Sequence, residues 1–402
     1  MKILHTSDWH IGKRLGSVSR LNEQKDVLTE ICDIADEQSV DAIVVAGDVF
    51  DTFNPPTEAI ELFYATVKRL SLQGKRPVFV IAGNHDSPDR IEAPNPLARD
   101  NGVFLFGYPK SEYSLFTHET GSFRITKSEP GFIECELASK ECVRLIVAPF
   151  ANEHRMSEAF IEHESQTLQE SLKGFWKDIA DRNCDSNGVN IFVGHHLMLA
   201  HMSDEIVEPD DEKPIMAISE LLPVSILPPQ IQYAALGHLH RYQIVADSPK
   251  VVYSGSPCAY SFSEALQKKY VSIITIAPGK EPQVNKHRLH KARVLVKKKC
   301  ESVADALVWL AQNQDVYVEL TVCSHTYLSP AEIQTLNKAH AGIIYIIPHI
   351  LQQNTEENKF NNRVQNRPIH ELFCEYFEFK TGQKPHDDII ELFSEIRSSH
   401  LD

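Results

Sequence analysis

The stretch VIAGNHDSPDR, residues 80–90, ends an apolar, strand-like run with a glycine and then places three polar residues on one turn. Asn84, His85 and Asp86 can each bind a metal ion or move a proton. In α/β sheets, ligands bind at the carboxyl ends of the strands, which is where these three residues fall. The stretch therefore predicts an α/β fold with a chemical site at the edge of a sheet.

Four other apolar runs also end in residues that can bind a metal ion, namely ILHTSDWH, IVVAGDVFD, IFVGHH and AALGHLH. Their last residues include these candidate metal ligands: Asp8, His10, Asp48, Asp51, His195, His196, His238 and His240. In three of the four runs a glycine precedes the first candidate, and glycine lets the backbone turn sharply and leaves space beside it. A single histidine at a strand end is more often part of a core, but five such clusters predict one shared site.

The spacing and chemistry of the candidates indicate which ions they suit. Asp8 and His10, like His238 and His240, are separated by one residue, so in extended backbone both side chains of a pair point the same way. The candidates offer oxygen and imidazole but no thiolate, which suits Mn²⁺, Fe or Zn²⁺ and disfavours a cysteine-type structural zinc. They outnumber the ligands of one ion. Two ions roughly 3.5–4 Å apart, bridged by a carboxylate, would use them all.

The charge of such a site favours a phosphate substrate. The chain carries a formal net charge of −15. Two carboxylates, Asp8 and Asp48, nevertheless offset only half of the charge of two divalent ions, so an acidic protein can hold a locally positive pocket that fits a phosphoryl group. The ions also lower the pKa of a bound water toward about 7, which supplies a nucleophile at neutral pH.

The rest of the composition indicates a soluble intracellular protein. The chain has 402 residues and eight scattered cysteines without a C-x-x-C pair, a pattern that suits reduced thiols better than disulfides. It opens directly into a strand-like run without a signal peptide, and no apolar run approaches the roughly 20 residues of a membrane helix. We expect a cytoplasmic location.

The chain divides into segments of different pattern. Strand-like and helical patterns alternate from residue 1 to about 275, as in βαβ units, and the stretch IAPGKEPQVN then interrupts them. A β-α-β-α-β pattern follows, and two amphipathic helical segments end the chain. We predict three domains, over residues 1–278, 279–348 and 349–402.

Basic residues are unevenly distributed. Residues 286–299, KHRLHKARVLVKKK, contain seven Lys or Arg and no acid. This run is either a solvated charged face or a contact for the phosphate backbone of nucleic acid, which requires clustered Lys and Arg rather than net positive charge. Lys13 and Arg14 offer a further contact of this kind, and Arg20 is either another contact or an exposed charge.

The motif series D-x-H, G-D-x-x-D, G-N-H-D, G-H-H and G-H-x-H runs in order across residues 8–240 and resembles the calcineurin-like metallophosphoesterase superfamily. More narrowly, LHTSDWHIGK, GDVFDTFNPP, ALGHLHRYQ and YSGSP resemble the SbcD family of nuclease subunits, which act with an SbcC-type ATPase in DNA double-strand-break repair. The resemblance implies a four-layer α-β-β-α sandwich for residues 1–278. It also implies a small α+β DNA-capping domain over 279–348 and a helical tail over 349–402 that binds the ATPase.

The resemblance implies a role for each residue of the site. One ion would be held by Asp8, His10 and His240, the other by Asn84, His195 and His238, with Asp48 bridging the two. His85 would stay unligated beside the phosphate and stabilise charge or donate a proton to the leaving oxygen. Asp51 would orient His85 or cap the following loop, and Asp86 would brace the turn. Alignment of GHH favours His195 as the ligand and leaves His196 as its neighbour or a substrate contact.

The function implied is that of a metal-dependent hydrolase. It would be a 3′–5′ exonuclease on double-stranded DNA and an endonuclease on hairpins and single strands, active in DNA repair, recombination and replication. The expected metal is Mn²⁺, with Mg²⁺, Fe²⁺ or Zn²⁺ as alternatives. DNA contacts are predicted at Lys13, Arg14, Lys297, Lys298 and Lys299, and ATPase contacts at Leu372, Phe373, Tyr376, Phe377, Leu392 and Phe393, for which an intrachain core is the alternative. The family further implies a homodimer within a heterotetramer, associated with the nucleoid.

One other function fits the same catalytic core. A metallophosphoesterase acting on small-molecule phosphodiesters or on phosphoproteins would use the same ligands, because a fold does not determine the substrate. The basic run, the capping domain and the helical tail favour the nuclease, since a small-molecule enzyme does not need them. The chain has no G-x-x-x-x-G-K-[ST] motif, so ATP hydrolysis would come from the partner.

Overall fold

The computed structural model describes residues 1–118, 121–150, 167–200 and 221–351, together with 372–374, 377, 385 and 389–390. Contacts divide the chain into two units: Met1–Val322 with Ala331–Ile347, and Cys323–Pro330 with Pro348–Asp402. Both large sheets lie in the first unit. Among the described residues, no helix is long and apolar enough to cross a membrane.

In chain order, the described strands are β1 (Lys2–Thr6), β2 (Arg14–Leu15), β3 (Val18–Ser19), β4 (Ala42–Ala46), β5 (Val78–Ile81), β6 (Val103–Phe106), β7 (Phe116–Thr117), β8 (Phe123–Glu129), β9 (Phe132–Leu137), β10 (Cys142–Ala148), β11 (Val189–Gly194), β12 (Leu197–Leu199), β13 (Leu221–Pro223), β14 (Tyr233–Leu236), β15 (Gln243–Asp247), β16 (Lys250–Tyr253), β17 (Tyr270–Thr275), β18 (Gln283–Arg288), β19 (Val294–Cys300), β20 (Val316–Ser324) and β21 (Ile343–Ile350). The described helices are α1 (Leu21–Glu37), α2 (Thr57–Leu70), α3 (Pro88–Glu92), α4 (Asn95–Asp100), α5 (Leu168–Asn183), α6 (Val303–Gln312) and α7 (Pro330–Ala339). Two short 3₁₀ helices accompany them, Val224–Ile226 and Phe262–Glu264.

The first large sheet has the strand order β18-β17-β1-β4-β5-β6. Strands β1, β4, β5 and β6 run parallel, and β17 and β18 complete one edge in antiparallel pairing. The sequences of β4, AIVVA, and β5, VFVI, are apolar and buried throughout, as expected for parallel strands covered on both faces. The predicted alternation of strands and helices is confirmed in this part of the chain.

The second large sheet has the strand order β15-β16-β14-β11-β10-β9-β8-β7. Its central strands β10, β11, β14 and β16 are parallel, and antiparallel strands extend both edges. Buried side chains of the two sheets meet in one apolar cluster that includes Val44 and Phe79 from the first sheet and Leu145 and Val193 from the second. The chain therefore has a mixed α/β fold with several sheets.

Amphipathic helices cover the remaining faces of the sheets. Ile31 of α1 and Phe63 of α2 are buried in a cluster with residues of the first sheet, and Trp176 of α5 is buried with Phe192 of the second. Helix α5 begins in a capping box, in which the side chains of Thr167 and Glu170 each accept a hydrogen bond from the main-chain N–H of the other. Helix packing thus buries the outer apolar surface of both sheets.

A three-stranded sheet, in the order β19-β20-β21, is associated with α6 and α7. The predicted series of strand, helix, strand, helix and strand is confirmed for this segment. Leu295 of β19 packs in a small buried cluster with Phe262, Tyr317 and Leu15, and its carbonyl accepts a hydrogen bond of 3.2 Å from the main-chain N–H of Leu266. The turn at Phe262–Glu264 therefore lies directly against the small sheet.

Arg20 is buried, so both sequence interpretations of this residue, a phosphate contact and an exposed charge, are wrong. Its guanidinium donates two hydrogen bonds to the Glu23 carboxylate, at 2.8 and 2.6 Å, and another to the Ala259 carbonyl. It also lies 5.4 Å from the ring centroid of Tyr317. Burial of an arginine is tolerated here because a carboxylate and a carbonyl satisfy its donors.

Candidate metal centre

Five loops, each leaving a strand at its carboxyl end, bring the predicted ligands together. The loop after β1 carries Asp8 and His10, the loop after β4 carries Asp48, the loop after β5 carries Asn84, the loop after β11 carries His195, and the loop after β14 carries His238 and His240. The strand ends are level, since Thr6 pairs with Val45 in the first sheet and Gly194 with Leu236 in the second. The loops therefore meet beside one edge of the two sheets.

One group of candidate ligands consists of Asp8, His10 and His240. All three are buried, and their ligand atoms lie within 4.8 Å of one another. The Nε2 atoms of the two histidines are 3.0 Å apart, and His10 Nδ1 makes no hydrogen bond within the described part of the chain. Two ring nitrogens and a carboxylate that converge in this way form a candidate cation site.

A second group consists of Asp8, Asp48 and His195, whose ligand atoms also lie within 4.8 Å of one another. Asn84 joins this group through Oδ1, which is 3.0 Å from His195 Nε2 and 3.3 Å from His238 Nδ1. An amide oxygen, two carboxylates and two imidazoles are thus available to a second cation.

Asp8 belongs to both groups, and Asp48 of the second group also approaches a histidine of the first. Oδ2 of Asp48 is 3.4 Å from His10 Nε2 and also 3.4 Å from His195 Nε2. Its Oδ1 accepts a hydrogen bond of 2.9 Å from the main-chain N–H of His85. Oδ2 of Asp48 is therefore equally close to a histidine of each group.

The structure separates the two histidines of GHH. His195 Nε2 faces Asn84, while His195 Nδ1 lies 2.8 Å from the carbonyl oxygen of Ala46. Because a carbonyl only accepts, Nδ1 carries a proton, and Nε2 is the ring nitrogen left to bind a cation. The ring of His196 lies beside Trp176 instead, with the centroids 6.1 Å apart, and burial lowers the pKa of His196 to about 3. His195 is the histidine that the fold brings to the site.

The buried acids and bases shift one another's pKa values. Burial acts to raise the pKa of Asp48, but attraction to His195 and His10 outweighs it and holds that pKa well below its ordinary value. Burial acts to lower the pKa of His195, yet attraction to Asp48 raises it to about 9. Burial raises the pKa of Asp8, against a smaller attraction to His195 and His240. Protonated His195 thus balances Asp48, and a bound cation would take the place of that positive charge.

These residues fit two divalent cations. The donors are carboxylate and amide oxygens and imidazole nitrogens, which Mn²⁺, Fe²⁺ and Zn²⁺ all accept. All but the partly exposed Asn84 are buried, they converge from five separate loops, and two carboxylates, Asp8 and Asp48, connect the two groups. The arrangement is compatible with a dimetal site.

The loops hold four of these residues in an uncommon backbone conformation. The φ angle is 54° at Asp8, 41° at His10, 48° at Asp48 and 100° at His238. Residues other than glycine rarely adopt such angles, which cost about 1–3 kcal/mol each. Loop-to-loop hydrogen bonds impose them: the N–H of Asp8 donates to the carbonyl of Gly47 at 3.0 Å, and that of His10 to the carbonyl of Asp48 at 2.9 Å.

Two glycines leave the space that the cluster needs. A Cβ atom at Gly47 would lie 2.2 Å from His195 Nδ1, and one at Gly83 would lie 2.2 Å from Asp48 Oδ1. Gly47 also has a φ angle of 86°, which other residues rarely adopt. The prediction that glycines before the ligands leave space beside them is confirmed at these two positions.

His85 is held at two points beside the cluster. Its main-chain N–H donates to Asp48, and its Nδ1 lies 2.7 Å from the carbonyl oxygen of Asp51. Its ring is close to that of His10, with the centroids 4.8 Å apart. Asp51 thus contacts His85 through its main chain, whereas its carboxylate pairs with Lys13 at 3.0 Å.

Asp86 braces the turn, as predicted. Its carboxylate accepts hydrogen bonds from the main-chain N–H groups of Val49 at 3.0 Å, Phe50 at 2.9 Å and Gly83 at 2.8 Å. Burial, followed by the charge of Asp48, raises the pKa of Asp86 to about 7. This side chain therefore fastens the loops after β4 and β5 to each other.

Sequence reasoning missed several residues that hold the candidate ligands in place. Ser7 donates to the carboxylate of Asp8, and Gln24 donates to the carbonyl of His10 at 2.7 Å. Glu264 contacts a further candidate ligand. Gln24 is a lone polar residue on a helix and gives no sequence signal. Glu264 could have been found from the sequence, because it lies shortly after the YSGSP motif.

The chain is similar to known proteins over nearly its whole length. Residues 1–242 match the Calcineurin-like phosphoesterase family. The chain is 36% identical over 407 residues to the D subunit of the SbcCD nuclease of Bacillus subtilis (strain 168), which covers 99% of this chain and 98% of the relative. The chain belongs to the SbcD family of calcineurin-like phosphoesterases. It is thus a nuclease subunit and a metallophosphoesterase hydrolase, as the motif series predicts.

Other SbcD family members and solved structures match over smaller parts. The D subunit of the SbcCD nuclease of Staphylococcus epidermidis is 30% identical over 277 residues, which cover 69% of this chain and 66% of the relative. A dimetal phosphatase from Danio rerio has a TM-score of 0.43 at 12% identity, covering 72% of this chain and 96% of the other. A Thermus thermophilus protein has a TM-score of 0.34 at 12% identity, covering 71% and 98%. These TM-scores are too low to support a conclusion.

The basic residues singled out in this SbcD sequence have different surroundings. Lys13 is partly buried and paired with Asp51, whereas Arg14 is exposed and donates to the carbonyl of Ser17. In β19, Lys297 and Lys299 are exposed on the strand face that also carries Leu295. Lys298 points to the other face, where its Nζ lies 5.7 Å from the ring centroid of Trp309.

The predicted ATPase contacts fall only partly within the described residues. Leu372, Phe373 and Phe377 are described, and the ring centroids of the two phenylalanines lie 6.0 Å apart. Tyr376, Leu392 and Phe393 lie outside the described residues.

Proposed function

We propose that the chain is a two-metal DNA nuclease, a 3′–5′ exonuclease on double strands and an endonuclease on hairpins and single strands. It would act with an SbcC-type ATPase in double-strand-break repair, recombination and replication. The observation that carries the proposal is the Asp48 carboxylate, which contacts a histidine of each candidate cation group and the main chain of His85. Relatives named as the D subunit of the SbcCD nuclease support the substrate and the partner.

The proposed division of the cation ligands is the one that the family resemblance implies. One cation would be held by Asp8, His10 and His240, the other by Asn84, His195 and His238, with Asp48 bound to both. Mn²⁺ suits this mixture of carboxylate, amide and imidazole, and Mg²⁺, Fe²⁺ and Zn²⁺ are alternatives. When bound, two such cations supply an acidified water and stabilise negative charge on the phosphate.

His85 is the residue proposed to act on the leaving group. Its main chain is fixed on Asp48 and its Nδ1 on the carbonyl of Asp51, so only Nε2 is left to exchange a proton with the substrate. In the protonated ring, Nε2 would donate to the leaving oxygen. The Asp51 carboxylate lies 3.7 Å from His10 Nδ1 and 3.0 Å from Lys13, so we infer that it supports those groups while its main chain orients His85.

Each of the proposed domains has a different role. Residues 1–278 would form the catalytic domain, a four-layer α-β-β-α sandwich, which the helices packed on each sheet support. Residues 279–348 would cap the DNA, and residues 349–402 would bind the ATPase through Leu372, Phe373, Tyr376, Phe377, Leu392 and Phe393. The family suggests a homodimer within a heterotetramer, in the cytoplasm at the nucleoid.

The first test is Mn²⁺-dependent cleavage of a labelled DNA hairpin, run beside a chromogenic phosphodiester, with His85→Ala as the comparison. We expect the intact chain to cut both, and the variant to lose at least 100-fold, the usual size of a general-acid contribution. Mn²⁺ binding by the variant, measured by calorimetry, should be unchanged because His85 is not a proposed ligand. DNA that stays intact even after an SbcC-type ATPase is added, while the small ester is hydrolysed, would support a small-molecule phosphoesterase.

The second test concerns DNA contacts on the small sheet. Lys297→Ala with Lys299→Ala removes two exposed charges from one face of β19, whereas Lys298→Ala removes a charge from the other face. We expect the double variant to bind duplex DNA several-fold more weakly and to lower the slope of log affinity against log salt by up to about 2. Equal effects of Lys298→Ala and of the double variant would exclude this face as the contact.

A further inference from the structure

The ring of His240 contacts the site on one side and a buried carboxylate on the other. Its Nε2 faces His10 at 3.0 Å, and its Nδ1 lies 3.3 Å from Oε1 of Glu264. Glu264 and His240 are 1% and 2% exposed, so water does not compete for this contact. Glu264 therefore touches a candidate ligand without belonging to either cation group.

Glu264 is itself fixed by its neighbours. Its Oε1 accepts a hydrogen bond of 2.9 Å from the main-chain N–H of Tyr260, and its Oε2 accepts one from Lys269 Nζ. The same Lys269 Nζ donates to the carbonyl of His240 at 2.9 Å and to Ser256 Oγ at 2.9 Å. The buried Glu264–Lys269 pair thus contacts both the ring and the main chain of His240.

We propose that Glu264 is a positioning residue for His240, which fixes the ring so that Nε2 faces the cation. A carboxylate can only accept, so it keeps the proton on Nδ1 and leaves the Nε2 lone pair for the cation. This inference rests on the proposed two-metal site. Lys269 serves the arrangement by holding the Glu264 carboxylate in place.

The burial of the pair supports a role beyond packing. Removing two charges from water costs free energy that their attraction often fails to recover, and apolar residues of similar size commonly replace such pairs without loss. Here the two groups make four further hydrogen bonds, and each group directs one of its two to His240. The pair is therefore arranged around one candidate ligand.

Two double variants of the full chain isolate the contact. Glu264→Gln with Lys269→Met removes both charges but keeps an oxygen that can accept the Nδ1 proton. Glu264→Leu with Lys269→Met removes the charges and the acceptor as well. Both variants lose the contacts of Lys269 equally, so the difference between them reports the two hydrogen bonds that Oε1 of residue 264 accepts, from Tyr260 N–H and from His240 Nδ1. Only the bond from His240 involves a proposed ligand, so a change in metal binding reports that bond.

The measurement is Mn²⁺ titration by calorimetry. We expect the leucine variant to bind one of two Mn²⁺ ions about 10–100-fold more weakly than the glutamine variant, with the other ion unaffected. Equal Mn²⁺ binding by the two variants would overturn the inference, as would equal weakening of both ions. Failure of the unaltered chain to bind two Mn²⁺ ions would instead overturn the proposed two-metal site.

A measurement on the unaltered chain covers the case in which the leucine variant does not fold. In protein labelled with ¹⁵N-histidine and kept free of metal at pH 8, the His240 ring should be in the Nδ1–H tautomer. The opposite tautomer would overturn the inference, because Nε2 would then carry the proton. His240→Ala serves to assign the signal.

Discussion

The strands and the loops that leave them differ in what determines their conformation. Strands β4 and β5 are apolar, buried and regularly paired, with Ala46 opposite Ile81. Asp48, two residues beyond β4, has a φ angle of 48° and a carboxylate buried against two histidines. Apolar burial stabilises the strands, whereas the loops are held in backbone conformations that are unfavourable in free energy.

The stability of the fold and the binding of metal therefore depend on adjacent but separate parts of the chain. Changes within a strand should lower the free energy of unfolding and leave metal binding intact. Changes within a loop should abolish metal binding at a smaller cost to folding. Substitutions in the strands and in the loops should therefore have different effects on folding and on metal binding.

The largest effect on stability is expected from the strand interior. Phe79 of β5 is buried between the sheets and stacks on Phe104, with the ring centroids 5.4 Å apart. Phe79→Ala should lower the free energy of unfolding by about 3–5 kcal/mol, because it leaves a cavity. Chemical denaturation measures this, with Leu97→Ala at a 77% exposed site as the control. Loss of Mn²⁺ binding by the folded variant would show that the strand interior also determines the site.

Gly47→Ala should have the largest effect on the chemistry of the site. The new methyl group would lie 2.2 Å from His195 Nδ1, in a residue whose φ angle of 86° disfavours a side chain. We expect Mn²⁺-dependent phosphodiesterase activity to fall at least 100-fold, about 2.7 kcal/mol in barrier height. Gly174→Ala is the matched control, since nothing lies within 4 Å of its added Cβ in α5. Near-normal activity of Gly47→Ala would contradict the close packing described for this loop.

An acid-dependent effect is expected at His5, which lies in β1 with its Nδ1 2.9 Å from the Tyr233 hydroxyl. Burial lowers the pKa of His5 from 6.5 to about 3. Between these pH values the unfolded chain binds a proton that the folded chain does not, so stability falls as pH falls, by about 1.4 kcal/mol per pH unit. Above pH 6.5 this contribution is constant.

His5→Asn should therefore flatten the dependence of the free energy of unfolding on pH between about 6 and 4. Denaturant titrations at several pH values measure the slope, and exposed His290→Asn is the control. Part of the slope should persist, because the pKa of His196 is also lowered to about 3. An unchanged slope for His5→Asn would mean that His5 is protonated in the folded chain.

The smallest effect is expected from Asp51→Ala. His85 is oriented by the carbonyl of Asp51 and not by its carboxylate, so the variant keeps that hydrogen bond. We expect kcat to fall by no more than about fivefold, a modest loss from the unpaired Lys13, against at least 100-fold for His85→Ala. A loss at Asp51→Ala as large as that at His85→Ala would show that the carboxylate takes part in the reaction.

The sequence predicted the strands and the residues that follow them, because apolar runs and polar clusters alternate clearly along the chain. It did not predict the left-handed backbone at Asp8 or Asp48, since those angles result from hydrogen bonds between loops distant in sequence. It also missed that the main-chain carbonyl of Asp51 contacts His85, because the type of residue does not reveal a main-chain contact. The two-residue period of a strand was enough to predict that Lys298 lies on the opposite face of β19 from Lys297 and Lys299.

The turn at Phe262–Glu264 has two sets of contacts, and this has a consequence for how the molecule opens. Phe262 packs on Leu295 of the small sheet, while Glu264, two residues later, contacts His240. We therefore expect opening of the small sheet to be coupled to release of His240. Cation binding should then slow amide hydrogen exchange in β19, even though that strand contributes no ligand. Exchange rates in the small sheet would thus report whether the cation site is filled.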